Sequence, residues 1–324
     1  MKIIVKFKWL ACAILTLLFI YVFFRWAPVL VLYCSQDIFN IKQTSTIGIL
    51  GDSYGVYNTL FSWTALICAI LTLYLQYRDS KKNAILNLYY KMIEVQQHVI
   101  DEISVYPVRI SKKSNECIEP VVGRNAFVEF KLQIKYLLKN IQEVVDKGNY
   151  KLERSDIADI SYAIFYYGAD IRWKDFILEY LKDYQDNSLL VNDILDKLSK
   201  DKKRALTRTN QNYLSVYFRN MYNAIKMIDS ASCLNKNEKY SAIKVLRGQL
   251  SNSELYVLFF NLISRFGKKW VDAGYVERYQ LLQNLPIKYT EGYNPKEYFP
   301  NISFESEELS LSPFTEEIKL REKK

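Results

Sequence analysis

An uncharged run from Ser53 to Tyr77, between Asp52 and Arg78, most constrains what this 324-residue chain can become. About 20 mainly apolar residues in a helix cross a hydrocarbon core roughly 30 Å thick. Leu60 to Leu75 lies in the middle of the run, and Tyr74 and Tyr77 stand near its end, where aromatic rings favour the membrane interface. Arg78, Lys81 and Lys82 follow at once, and neither Gly nor Pro appears between Gly55 and Pro107. The spacing predicts one long helix, a span over 56–77 that continues as a cytosolic, coiled-coil-like helix over 78–106. Ile85, Leu88, Met92, Val95 and Val99 alternate in steps of three and four, the seam of a coiled coil and an expected surface for assembly into a homo-oligomer.

A second apolar stretch lies at the N-terminus. Lys2, Lys6 and Lys8 lead into an uncharged run from Trp9 to Phe24, and no small-residue cleavage site follows it. This reads as an uncleaved anchor spanning 3–24, or reaching 34 if Arg25 sits at the outer interface. Residues 1–77 then form a two-helix transmembrane hairpin in membrane lipid. Lysines precede the first span and basic residues follow the second, while the loop 35–57 holds only Lys42. Both termini are therefore expected to be cytoplasmic.

The remaining roughly 225 residues suffice for a substantial core. With 10 Gly, 7 Pro and charged residues at 24% in the whole chain, the expected class is all-α, with a helical-bundle domain over 122–300. Residues 107–121 read as a polar loop with a Pro near each end, and 301–324 as a mobile tail. Phe127, Phe130, Ile134, Leu137, Ile141 and Val144 make one helical face closed by Lys147-Gly148. Ser155 is placed to cap a helix running to Gly168, and further helices are expected over 171–184 and 189–198. Leu214, Phe218, Met221, Ile225 and Ile228 form another stripe, and Ser251-x-x-Glu254 has the pattern of a capping box.

Familiar chemistry is largely excluded. His98 is the single histidine, and Cys12, Cys34, Cys68, Cys117 and Cys233 have no metal-ligand spacing. Phosphate-binding and nucleophile-elbow motifs are missing. Glu129-Phe130-Lys131 has the spacing of a metal-dependent nuclease, but its surroundings have helical period. The expectation is a protein without catalytic, metal-binding or cofactor-binding residues, and not an enzyme. One segment is strongly charged: from Asp196 to Arg247 twelve Lys/Arg face four acids, so this stretch carries +8 of the chain's net +9. Lys202, Lys203, Arg204 and Arg208 are its densest part, a surface for anionic lipid or nucleic acid, or a solvated helix face. Arg124, Arg219, Arg247, Gln249 and Asn261 stand beside apolar seams, either tying helices together or lining a pocket for an anionic ligand.

Ordered blocks of residues carry a resemblance. The turn Gly51-Asp52-x-x-Gly55 leads to Asn58-x-Leu60-Phe61-Ser62. Gly123-Arg124-x-Ala126-Phe127, then Ile164 to Gly168, then Tyr217-Phe218-Arg219-Asn220-Met221-Tyr222 follow. The most specific is Arg247-Gly248-Gln249-Leu250-Ser251-x-x-Glu254-Leu255 with Asn261. In this order they resemble the AbiC-type phage abortive-infection proteins, over about residues 48–262; Gly248 departs from a pattern that usually has Ala. The hairpin is also similar to that of retron-associated membrane effectors. The resemblance implies a bacterial inner-membrane protein of phage defence, without a known enzyme activity and with a phage-derived trigger. It leaves open an effector that perturbs the membrane on oligomerisation. The alternative is a membrane-anchored module whose basic segment 196–247 holds a reverse transcriptase with its RNA-DNA.

Overall fold

The computed structural model describes residues 46–108, 119–184, 186–200, 206 and 208–305. The first predicted span and the tail from 306 lie outside the described residues. The chain divides into two units, Met1–Ser80 and Lys81–Lys324. A single helix, α1 (Thr46–Asp101), contributes to both. Among the described residues it is the helix long and apolar enough to cross a membrane by length and composition.

In the first unit every residue from Asn58 to Ser80 is exposed, Trp63, Ile67, Ile70, Leu71 and Leu73 among them. The polar side chains of this stretch are satisfied within the helix. The hydroxyls of Thr59, Ser62, Thr64 and Thr72 donate to the carbonyls of Gly55, Asn58, Leu60 and Cys68, at 2.9, 2.7, 2.8 and 2.7 Å. Hydroxyls bonded back to the preceding turn need no water, which suits a helix with an apolar exterior.

The second unit is mostly helical. After α1, Ser104–Val105 (β1) pairs antiparallel with Val121–Val122 (β2), so a two-residue ladder closes the ends of the segment read as a loop; residues 109–118 lie outside the described residues. The helices that follow are α2 (Ala126–Gly148), α3 (Arg154–Tyr167), α4 (Lys174–Tyr180), α5 (Asn187–Lys200), α6 (Gln211–Ser230), α7 (Lys236–Gly248) and α8 (Asn252–Ile263). Short helices α9 (Lys268–Asp272), α10 (Tyr275–Arg278) and α11 (Pro295–Tyr298) complete the domain. α2 is central and packs on α3, α5 and α8. Its expected apolar face, Phe127 to Val144, is buried throughout.

The helix ends differ from expectation in instructive ways. α2 runs through Gly148, and its left-handed cap is Asn149, at φ 51°. α3 is capped two residues earlier than Ser155, by Glu153, which forms a reciprocal box with Asp156. A carboxylate accepts from helix N–H groups as well as a hydroxyl does, and the segment holds both. The stretch 171–184 holds a 3-10 turn, Ile171–Trp173, before the short α4. The start of the expected mobile tail is packed: Ile302 and Phe304 are buried in the core.

Along α1 the side chains that enter the core of the second unit are Tyr89, Ile93, Gln96 and Ile100, followed by Ile103 beyond the helix end. This ladder has the same three-four spacing as the predicted seam but a different register. Ile85, Met92 and Val99 pack half-buried against the core, whereas Leu88 and Val95 remain 53% and 45% exposed. A polar amide and a phenol on the buried ladder made the neighbouring all-aliphatic row the stronger periodic signal. Burial of the aromatic and the three isoleucines contributes about 1.5–3 kcal/mol each. A hydrogen bond such as that from the Tyr89 hydroxyl to the Ala242 carbonyl, at 3.0 Å, adds about 1 kcal/mol. Apolar burial therefore attaches this part of α1, and the polar contacts fix its register.

Two outcomes follow. Gly168 lies at φ 92°, and a Cβ there would meet the carbonyl carbon and oxygen of Arg208 at 2.9 Å. Gly168→Ala is expected to lower stability by at least about 1 kcal/mol, read as a fall in Tm. Burial also raises the pKa values of Tyr89, Tyr162, Tyr180 and Tyr256 above that of free tyrosine. Unfolded tyrosines ionise near about pH 10, so from there upward the unfolded chain loses protons that the folded domain keeps. Stability is expected to be intact below that pH and to fall as it is exceeded. A Tm that stays level between about pH 9 and about pH 11 would contradict the burial of these hydroxyls.

Candidate functional site

The blocks Arg124–Phe127, Tyr217–Phe218 and Gln249–Glu254 meet around α1. Gly123, at φ +67°, turns the chain out of β2, and its N–H donates to the Ile103 carbonyl at 2.8 Å. A side chain at that φ is strained, which accounts for glycine immediately before Arg124. The Arg124 guanidinium faces two elements at once. Its Nη2 donates to Gln97 Oε1 at 2.8 Å, and its Nε lies 3.5 Å from Glu254 Oε2. Gln97 Nε2 passes the contact on to Gln249 Oε1 at 3.1 Å.

Glu254 is fully buried. It is the third residue of α8, and the capping box with Ser251 is present: Ser251 N–H donates to Glu254 Oε2 at 2.8 Å, and Glu254 N–H donates to the Ser251 hydroxyl at 3.3 Å. Its other oxygen accepts from the Tyr217 hydroxyl at 3.1 Å. Burial and the adjacent Glu254 charge hold that hydroxyl protonated, well above the usual tyrosine range. The Tyr217 ring lies 4.9 Å from that of Phe127 and 5.1 Å from Phe218. Its backbone carbonyl accepts from Gln96 Nε2 at 3.2 Å, and Asn220 Nδ2 donates to Gln96 Oε1 at 2.7 Å and to the Met92 carbonyl at 3.0 Å. This is a clasp: two consecutive glutamines of α1 are held by side chains from three separate blocks. Lys82, nearer the start of the second unit, adds an ion pair with Glu238 at 2.8 Å.

Other singled-out residues lie elsewhere. Arg247 is buried and donates from Nη1 to the carbonyls of Tyr279 and Gln280, both at 3.2 Å, tying α7 to the turn after α10. Asn261 donates to the Tyr162 hydroxyl at 2.9 Å, joining α8 to α3. Arg219 is exposed. Gly168 sits where α3 meets the chain before α6. Of the basic patch, Arg208 is described and exposed, whereas Lys202, Lys203 and Arg204 lie outside the described residues.

Sequence reasoning missed a second charged cluster. Asp159 on α3 is buried and accepts from the hydroxyls of Tyr180 and Tyr184, at 2.8 and 3.0 Å, and from N–H and Nε of Arg265, at 2.8 and 2.9 Å. The Arg265 guanidinium also lies over the Tyr180 ring, 4.4 Å from its centre, and its Nη1 reaches Asp183 at 3.0 Å. Its members are far apart in sequence, so no local pattern announces it. Asp159 and the two tyrosines do share helical or near-helical segments rich in aromatics. All the hydrogen-bonding oxygens of Asp159 are engaged, which makes this a fastener between α3, α4 and the end of α8.

The clasp is built to hold helices in register, with a fully desolvated carboxylate as its fixed point. Glu254→Leu would leave the Tyr217 hydroxyl and the Ser251 N–H without their acceptor, an expected loss of about 3 kcal/mol or more. Arg124 is 45% exposed in its side chain, so its ion pair is screened by water. A double-mutant cycle of Glu254→Leu with Arg124→Leu is expected to give a coupling below about 1 kcal/mol. Thermal or urea unfolding of the four proteins checks both figures, and a larger coupling would make Arg124 the dominant partner of the carboxylate.

No curated protein and no solved structure matches this chain. Residues 209–290, which run from the start of α6 past α10 and include Tyr217, Gln249, Ser251 and Glu254, match the model of the family described as "Putative phage abortive infection protein", which supports an AbiC-type family for this chain.

Proposed function

We propose that this chain is a membrane-anchored effector of phage defence that acts by abortive infection. In this reading the helical domain receives the infection signal, and the apolar part of α1 acts in the lipid of the bacterial inner membrane. One observation carries it. The helix whose Asn58–Tyr77 stretch is wholly uncharged and exposed is also the helix whose Gln96 and Gln97 are gripped by residues of the matched family segment. A stretch apolar on all sides finds its favourable solvent in hydrocarbon, and Arg78, Lys81 and Lys82 behind it favour the cytoplasmic side for the domain. A rearrangement at the clasp has a covalent, helical route to the membrane segment.

One or two apolar helices offer no polar path for ions, so leakage requires several copies. Leu88 and Val95, exposed on α1, are the contact we assign to that assembly. The trigger is a phage component that meets the domain.

The test is membrane potential in single cells under phage challenge. Cells with the natural protein are expected to depolarise before lysis and to suppress phage yield. Ile67→Lys with Leu71→Lys places two charges in the span, each costing about 2.5–3.5 kcal/mol at the centre of the hydrocarbon. This variant is expected to keep the domain's Tm but to lose both depolarisation and protection. Full protection without any change in potential would mean that the span is an anchor alone.

A further inference from the structure

The cleft that meets Arg208 is not used by the clasp. It has a volume of about 610 Å³ and opens between β1 with the residue after it, the 3-10 turn before α4 and the start of α6. That volume falls within the roughly 300–1,000 Å³ typical of small-molecule sites. Tyr106, Arg172, Trp173, Arg208, Asn212 and Tyr213 give its lining chemical character. Among the described residues two guanidiniums line it and no carboxylate does. Asp170, the nearest acid in sequence, stands outside the lining and accepts from Arg172 Nε at 2.9 Å and Nη2 at 3.0 Å, which holds that arginine in place.

The backbone around Arg208 is unusually committed. Ala169 N–H donates to the Leu206 carbonyl at 2.6 Å, and Asn210 N–H donates to the Tyr166 carbonyl at 3.1 Å. The Thr209 hydroxyl donates to the same Tyr166 carbonyl at 3.0 Å. The Asn210 amide is buried and donates to Gln133 Oε1 and to the Phe165 carbonyl, both at 2.8 Å. Gly168 lacks the Cβ that would strike the Arg208 carbonyl. The chain on both sides of Arg208 is thus fastened to α3, while its guanidinium is delivered to the cleft over the Tyr106 ring, 4.4 Å from the ring centre. An arginine needed only for solubility would not require this support.

We propose that the cleft binds a nucleotide unit. Its phosphate meets Arg208 and Arg172, its base lies against Trp173 or Tyr213, and the Asn212 amide reads an edge of the base. Arginine presents a planar fork suited to phosphate oxygens. Aromatic faces accept bases by stacking, worth about 1–3 kcal/mol per base. Inorganic phosphate would use neither the aromatic rings nor the volume, and an apolar ligand would leave the Arg208 guanidinium desolvated without an anion. The nucleotide is either free in solution or part of a single strand, and both present the same phosphate and base. This inference is independent of the membrane reading, and each can fail without the other.

The test is calorimetric titration of the full chain in detergent micelles with AMP, ATP, a ten-residue oligothymidylate and inorganic phosphate. At least one nucleotide probe is expected to bind, and inorganic phosphate at least tenfold more weakly. Arg208→Ala is expected to weaken the nucleotide at least tenfold, while Lys244→Ala, on the exposed side of α7, leaves binding unchanged. Should Arg208→Ala lower the Tm, Asn212→Ala, an exposed residue, serves instead with an expected loss of severalfold. Tighter binding of AMP or ATP than of the oligonucleotide identifies a free nucleotide. The reverse order, with affinity falling steeply as salt rises, identifies a strand. The proposal is overturned if no nucleotide binds at millimolar concentration, if phosphate binds as tightly as AMP, or if a folded cleft variant binds like the natural protein.

Discussion

The domain closes around one carboxylate that has no contact with water. An ionised glutamate at the position of Glu254 would be costly by several kcal/mol if it were left unpaired, and three donors answer it: the Ser251 N–H, the Tyr217 hydroxyl and the Arg124 guanidinium. These donors come from the N-cap of α8, the second turn of α6 and the junction of β2 with α2. Satisfying one acid therefore fixes the relative placement of three elements. Apolar burial drives the helices together but carries no direction. The carboxylate supplies the direction, and the aromatic group of Phe127, Tyr217 and Phe218 packs around the position it sets.

The same guanidinium that meets Glu254 also reaches α1. That links the innermost charge of the domain to the helix on which the membrane reading depends. The attachment of α1 is mainly apolar, through Tyr89, Ile93, Ile100 and Ile103, and a purely apolar attachment tolerates sliding by one ladder step. Gln96 opposes that freedom, since a helix shifted by one ladder step would present Ile93 or Ile100 to Asn220 in its place. A signal arriving at these contacts would act on the register of the helix rather than on its adhesion.

Much of this was legible before the coordinates. The central face of α2, the stripe on α6 and the Ser251–Glu254 box follow from helical period and capping chemistry, both properties of neighbouring residues. The likeness of the separate blocks to one family also placed Arg124, Tyr217, Gln249 and Glu254 in a single group. What stayed hidden was long-range or amphipathic. The true α1 ladder contains Tyr89 and Gln96, which a hydrophobic count discards, so the aliphatic row beside it stood out instead. The Asp159–Tyr180–Tyr184–Arg265 fastener joins residues from three elements with no spacing rule between them. The cleft beside Arg208 needed the fold to bring Tyr106, Trp173 and Tyr213 to one place. The chain after Ile263 also completes the core, through Trp270, Tyr279 and Phe304.

The bridge from Arg124 through Gln97 to Gln249 has a handedness of its own. A guanidinium can only donate, so Gln97 must offer its oxygen to Arg124 and its amide nitrogen to the next residue. Gln249 must then turn its oxygen inward, and its own nitrogen points away from the bridge. The relay is a one-way chain of donors, with every amide orientation dictated from the charged end. Anything that recognises the far end of this bridge meets an amide donor there and has to bring an acceptor.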